Sequence, residues 1–234
     1  MTALIFDMDD TMYLRSAPYM ETFHMFFPDQ VNISRSRLLE RSRYYSDYEF
    51  ERYKKGEISE GEMNALRVID TLKEFGLPAD LDLGMSFHEI YVEKQEQIHL
   101  LPGISEILEM SAKAGVFLGM ISNGSPAHQR MKYHALGLEA YILPSRLLIS
   151  GDAGIHKPDP AIFSLYLQKM GLAAGDCWYI GDSYENDIIP ANKTGLHTIL
   201  VRWEEDPNQK NYEMAEQCFY RVEELKTFLY DLLF

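Results

Sequence analysis

Apolar and polar positions follow two different rhythms along this chain. It opens with the unbroken apolar run Leu4, Ile5, Phe6, which has no helical period and reads as a buried strand. That run stops at Asp7, Asp9 and Asp10, so its charges gather at the strand's carboxyl end. From Pro18 to about Gln97 the spacing is helical throughout, over Tyr19 to Phe27, Ser34 to Lys54, Ser59 to Phe75 and Leu83 to Gln97. Turn chemistry separates these segments at Pro28-Asp29, Lys55-Gly56-Glu57 and Gly76-Leu77-Pro78. Beyond Leu101-Pro102-Gly103, helices and strands alternate. Helices are expected over Ile104 to Ala114, Pro126 to Leu136, Pro160 to Met170 and Tyr184 to Thr194. Strands are expected over Val116 to Ser122, Arg146 to Ile149, Cys177 to Ile180 and Thr198 to Val201, and a last amphipathic helix over Val222 to Phe234. Such alternation predicts a parallel sheet wrapped by right-handed crossovers. The expected fold is therefore α/β: a Rossmann-like parallel sheet flanked by helices, built from residues 1–14 and 99–234, with an inserted four-helix cap over 15–98. An insertion directly after the carboxylate cluster is expected to stand over the strand ends as a lid, hinged at Met12 to Ala17 and His99 to Pro102.

The 234 residues, 46% of them hydrophobic, suffice for one good core and a smaller second unit. A net charge of −14 argues against binding a nucleic-acid polymer or an anionic membrane through a basic surface. A small phosphate ester stays open, provided a metal ion and one or two local cations reverse the field within a pocket. Cys177 and Cys218 are too few for a disulfide framework and lack zinc spacing, so both are expected to be reduced core thiols. No apolar run reaches membrane-spanning length, and the chain's start has no signal-peptide pattern, so a cytoplasmic protein is expected.

Candidate chemistry sits at the strand ends. In open α/β sheets ligands bind at the strands' carboxyl edge, and two carboxylates two residues apart suit different tasks. Asp7 can attack an electrophile or hold a cation, while Asp9 can move a proton. The same residues would equally make an Asp-rich turn capping the next helix. An EF-hand loop is not supported, because Met12 and Pro18 stand where Gly and a bidentate Glu belong. Ser122-Asn123-Gly124-Ser125, ahead of a helix at Pro126, offers a hydroxyl and backbone N–H groups for an anion, or is simply an Asn-Gly turn. Lys157, in the stiff loop His156-Lys157-Pro158-Asp159-Pro160, is a lone cation suited to a fixed negative charge. Asp159 and Pro160 are better explained as helix cap and first helical residue. Gly181-Asp182-Ser183, with Asp187 five residues past Asp182, adds carboxylates fit for a hard divalent cation, although Asp182 could merely cap the following helix. His88-Glu89 fails as a zinc-protease motif because Val92 replaces the second histidine, and no Walker loop or GxGxxG implies ATP or a dinucleotide.

In this order the four stretches resemble the haloacid dehalogenase (HAD) superfamily of phosphotransferases: DxDxT on the first strand, Ser-Asn-Gly on the second, Lys-Pro before a helix, and GDSxxxD later. The place of the helical insertion fits its members with a helical cap. The wording around Phe6 to Tyr13, Ile121 to Gly124 and Lys157 to Asp159 is most similar to phosphatases of small metabolites, including pyrimidine 5′-nucleotidases. The resemblance implies a nucleophilic Asp7 that becomes an aspartyl phosphate, and an Asp9 that protonates the leaving oxygen and then activates water. It implies that Ser122 and the Asn123 backbone hold the phosphoryl group, bridged to Asp7 by Lys157. Mg2+ would be held by the Asp7 carboxylate, the Asp9 carbonyl and Asp182, with Asp187 ordering Lys157 or a metal-bound water. Thr11, two residues beyond Asp9, is expected to hydrogen-bond and orient it. The implied activity is Mg2+-dependent hydrolysis of a small phosphorylated metabolite, such as a nucleoside monophosphate or a sugar phosphate.

A phosphosugar mutase resembling β-phosphoglucomutase is the alternative, although that branch usually carries Gly and Val where Asp10 and Thr11 stand. The dehalogenase branch generally lacks the second aspartate, here Asp9. A protein that binds a phosphorylated ligand without chemistry is a third possibility, which the complete residue set argues against. In the cap, Tyr44, Tyr45, Tyr48 and Tyr53 with Arg41 and Arg43 could face a base or sugar. Aromatic residues at helical spacing more often pack a bundle core, and that reading is preferred; the arginines are expected on a solvated face.

Overall fold

A computed structural model describes residues 2–30, 32–203 and 212–234 of the chain. It divides into two compact units, residues Met1–Leu14 with Ile98–Phe234, and Arg15–Gln97. The second junction falls one residue ahead of the sequence-based boundary, because Ile98 is buried in the core of the first unit with Leu4 and Phe6.

The first unit is a six-stranded, all-parallel sheet in the order β3-β2-β1-β4-β5-β6. Its strands are β1 (Ala3–Phe6), β2 (Phe117–Ser122), β3 (Leu147–Ile149), β4 (Cys177–Gly181), β5 (His197–Val201) and β6 (Gln217–Phe219). The short β6 was not expected from the sequence: three half-buried residues carry too little period to read. Every residue of β1 is buried. Successive side chains point to opposite faces, so Leu4 and Phe6 join one core while Ala3 and Ile5 join the other. The first core is closed by α5 (Ile104–Lys113), through Ile104, Ile107 and Leu108, and by α10 (Val222–Leu233), through Leu225 and Leu229. On the other face Ile162, Phe163, Tyr166 and Leu167 of α8 (Ala161–Met170) pack on Ile5 and Tyr179. Each of these large side chains contributes about 1.5–3 kcal/mol on burial, so the sheet's position is heavily determined.

The chain leaves β1 on one side toward β2 and β3, then returns across β1 to form β4. The strand order thus reverses around β1, and the carboxyl ends of β1, β2 and β4 lie together at the switch point where ligands bind in such sheets.

The second unit holds α1 (Ser16–Phe26), α2 (Arg35–Lys54), α3 (Glu60–Glu74) and α4 (Leu81–Gln95). Tyr19, Phe23, Leu38, Val68, Leu72 and Phe87 form its core. The starts of α3 and α4 follow from sequence. Ser59 and Glu62 form a reciprocal capping box on α3, and Asp80 accepts the Leu83 N–H at 2.8 Å on α4. The preferred reading of the α2 tyrosines is corrected here: Tyr44 and Tyr48 are each 51% exposed and stack on one another, with ring centroids 6.4 Å apart. Leu38 and Glu49 are the fully buried residues of α2, whereas Tyr44, Tyr48 and Tyr53 are exposed and Tyr45 is half-buried. Arg41 lies over Tyr44 and pairs with Glu74 at 2.7 Å.

Cys177 is buried as expected, whereas Cys218, within the edge strand β6, is half-buried. Among the described residues, no helix is long and apolar enough to cross a membrane.

Candidate active site

Three strand ends and one loop bring the acidic and basic residues together. Asp7 immediately follows β1 and is tied to β4 by its backbone N–H, which donates to the Ile180 carbonyl at 2.8 Å. Lys157 reaches in from the loop before α8 and is 4% exposed. Its Nζ donates to Asp7 Oδ1 at 2.7 Å, to Asp187 Oδ1 at 2.6 Å and to the Tyr179 hydroxyl at 3.1 Å. The loop itself is bracketed by Asn123. That side chain donates to the Lys157 carbonyl at 2.9 Å and accepts the Lys157 N–H at 3.0 Å.

Asp187 owes its position to a π-helical turn, Tyr184–Ile188, that precedes α9 (Ile189–Lys193). One uninterrupted helix was expected over Tyr184 to Thr194. The wider turn accompanies Pro190, which has no N–H for regular helical pairing, and such turns recur at functional sites. Ser183 caps the turn by accepting the Asn186 N–H at 3.1 Å, which leaves Asp182 out of the capping role. Asp187 Oδ2 in turn accepts the Ser183 N–H at 2.9 Å. Gly181 is required here, since a Cβ at that position would lie 2.5 Å from Asp187 Oδ2.

Carboxylate oxygens of Asp7, Asp182 and Asp187 lie within 4.8 Å of one another. Hard oxygen donors in this number suit a divalent cation such as Mg2+. Both Asp187 oxygens are hydrogen-bonded, Oδ1 to Lys157 and Oδ2 to the Ser183 N–H, so this carboxylate also helps hold the Lys157 ammonium and the turn after β4. Electrostatics points the same way. Burial pushes the Asp7 carboxyl up to about 7, against the pull of Lys157. Burial alone would pull the Lys157 ammonium down, but Asp187 and Asp7 hold it well above its ordinary value. Lys157 therefore stays charged, and a second cation beside Asp7 would favour its ionised form.

Residues 1–195 match the haloacid dehalogenase-like hydrolase family. The chain belongs to that family. A phosphoserine phosphatase of Thermus thermophilus is 31% identical over 113 residues, 48% of this chain and 45% of that protein. A ribulose-1,5-bisphosphate 5-phosphatase of Halopiger xanaduensis is 32% identical over 135 residues, covering 57% and 53% of the two chains. The chain thus matches about half the length of these curated relatives. The HAD-hydrolase YfnB of Bacillus subtilis, crystallised with magnesium, shares the fold at a TM-score of 0.74 and 24% identity, over 98% of each chain.

The family's four stretches converge in this HAD-like hydrolase, but two expectations about neighbours change. Thr11 does not orient Asp9: its buried hydroxyl has no hydrogen-bond partner among the described residues. The two-residue alternation of a strand no longer applies there, because Asp10 adopts a left-handed φ of 57° and the Met12 N–H turns back to the Met8 carbonyl. Nor are all the backbone donors after β2 available to a ligand, since the Gly124 N–H donates to Ser150 Oγ at 3.0 Å. Ser150 opens the single turn α7 (Ser150–Ala153), too short to be read from sequence.

Several polar residues at this site escaped sequence reasoning. Tyr179 lies within β4, where its ring reads as core, yet its hydroxyl meets Lys157 and Asp187. Helix α6 (Pro126–Ala135) buries Gln129 and Lys132. Gln129 Nε2 donates to Ser122 Oγ at 2.8 Å and to Asp9 Oδ2 at 2.9 Å. Lys132 Nζ meets both Asp9 oxygens, at 2.6 and 2.8 Å. The available signal was their spacing of three, which aligns both on one helix face.

Proposed function

We propose that this chain is a Mg2+-dependent phosphomonoester hydrolase, acting on a small phosphorylated metabolite through an aspartyl phosphate on Asp7. The observation that carries this reading is the meeting of Asp7, Lys157, Asp182 and Asp187 at the carboxyl ends of β1 and β4. Membership of a hydrolase family, and the phosphatase names of its relatives, support the same class.

A carboxylate that attacks a phosphoryl group faces like charge, so cations must stand between them. Lys157 supplies one at 2.7 Å from Asp7 Oδ1. The Asp7 and Asp182 carboxylates, with the Asp9 carbonyl, would hold Mg2+, which supplies the second positive charge. Asp187 and Tyr179 keep the Lys157 ammonium in place and Asn123 keeps its loop in place. The Ser122 hydroxyl and the Asn123 backbone would receive the phosphoryl oxygens. Asp9 protonates the leaving oxygen and then takes a proton from the water that splits the acyl phosphate. Nucleoside monophosphates and sugar phosphates are the substrate classes to test.

A phosphate-release screen over both classes with Mg2+ is expected to find turnover that stops on addition of EDTA. Asp182→Asn is expected to raise the Mg2+ concentration needed for half-maximal rate by at least about tenfold. A metal-stripped preparation that keeps its full rate would overturn the reading. Movement of phosphate between two positions of one sugar, faster than phosphate release, would replace it with the mutase.

A further inference from the structure

Asp9 is enclosed by side chains that the reading above leaves without a task. Tyr13 donates its hydroxyl to Asp9 Oδ1 at 2.5 Å. Lys132 Nζ lies 2.6 Å from Oδ1 and 2.8 Å from Oδ2, and Gln129 Nε2 lies 2.9 Å from Oδ2. Among the described residues, at least three side chains therefore direct at least four hydrogen bonds onto this carboxylate. Lys132 carries its charge to a site where it is 3% exposed, and the cost of bringing an ammonium out of water there is offset by its pairing with the Asp9 carboxylate. Gln129 also touches Ser122 Oγ and the Asn123 carbonyl, so the same helix face that grips Asp9 grips the end of β2.

We propose that Lys132, assisted by Gln129 and Tyr13, is a positioning residue that fixes the Asp9 carboxyl for proton transfer to the leaving oxygen. This inference rests on the acid–base role of Asp9 proposed above. In that step an Asp7 oxygen forms a bond to phosphorus while the ester P–O bond breaks. The leaving oxygen keeps the bond's electron pair and receives the Asp9 proton. That proton is the one Asp9 takes from water when the acyl phosphate of the preceding turnover is split, and on giving it up Asp9 returns to the carboxylate form that accepts from Tyr13, Gln129 and Lys132, whose ammonium stabilises the charge. The grip also sets the direction of the carboxyl, and a misplacement of about 1 Å at such a group costs on the order of a hundredfold in rate.

The choice of leaving group separates this role from fold support. An alkyl phosphate expels a strongly basic oxygen and needs the proton, whereas a nitrophenyl phosphate expels a weakly basic one and hardly does. Comparison of kcat/KM reports the phosphoryl-transfer step for both. Lys132→Met is expected to lower kcat/KM for the alkyl phosphate by roughly ten- to a hundredfold and for the aryl phosphate by less than about threefold. Lys132→Arg, which keeps the cation, is expected to recover part of the loss. Tyr13→Phe, which removes one donor and keeps the ring, is expected to show the same selectivity on a smaller scale, and it serves if the Met variant does not fold. Equal losses on both substrates, or no loss on either, would overturn the proposal. Asp9→Asn, measured alongside, separates the two levels. If Asp9→Asn is itself unselective, the acid–base reading of Asp9 fails. If it is selective and the Lys132 and Tyr13 variants are not, only the positioning role fails.

Discussion

Asp7→Asn is expected to be inactive yet at least as stable as the parent protein. The amide keeps the shape of the side chain but has no anionic oxygen to attack phosphorus, so phosphate release should fall by at least about 10⁴-fold, the scale seen on removing a covalent nucleophile. Stability should move the other way in metal-free protein. Burial pushes the Asp7 carboxyl up to about 7, so its ionised form is disfavoured in the folded state. Between about pH 4 and 7 the folded chain holds a proton at Asp7 that the unfolded chain has already released. This group's contribution to stability is therefore present at low pH and is lost as pH rises toward 7. The Asn variant has no such group, so its melting temperature above about pH 7 should equal or exceed the parent's. Thermal unfolding across pH in EDTA, paired with phosphate release in Mg2+, checks both halves. An active variant would count against the nucleophile assignment, and one less stable than the parent above about pH 7 would count against the account of the buried Asp7 carboxyl.

Lys157→Met should lose both activity and stability. The ammonium stands between Asp7 and Asp187, which are 5% and 1% exposed. Taking away one member of a buried charge cluster leaves the others uncompensated, which costs about 3–5 kcal/mol. Denaturant unfolding of the metal-free variant near neutral pH should register that loss. Activity should fall by at least about a hundredfold even with saturating Mg2+, because one of two cations facing the phosphoryl group is gone. An unchanged unfolding midpoint together with normal turnover would contradict the role given to this ammonium.

Much of the fold was legible because the two hydrophobic periods differ so clearly. The buried runs at Leu4 to Phe6 and Cys177 to Ile180 have no polar face, as strands of a doubly covered parallel sheet require. The helical stretch between Pro18 and Gln97 shows no strand pattern at all. Elements shaped by tertiary contact rather than local period were not legible. The strand Gln217–Phe219 is three half-buried residues that become a strand only by pairing with Ile199 to Val201. The same distinction applies at the candidate site. Residues at strand ends, such as Asp7 and Asp182, stand out because charge interrupts an apolar run. Gln129 and Lys132 do not stand out, since polar residues on a helix normally face water and only the packing reveals that these two are buried. Strand alternation does not carry past Asp9 to Thr11, because the backbone turns at Asp10. Tyr44 and Tyr48 lie on an exposed face, which aromatic spacing on a helix does not distinguish from an inward one.

The central claim is that phosphorus is transferred to Asp7, and trapping the intermediate tests it most directly. Turnover of a substrate found in the screen, quenched in acid and mapped by peptide mass, should show a phosphoryl group on the peptide containing Asp7, absent from Asp7→Asn. Phosphate released at the normal rate with no adduct at Asp7, or with the adduct on another side chain, would contradict the account.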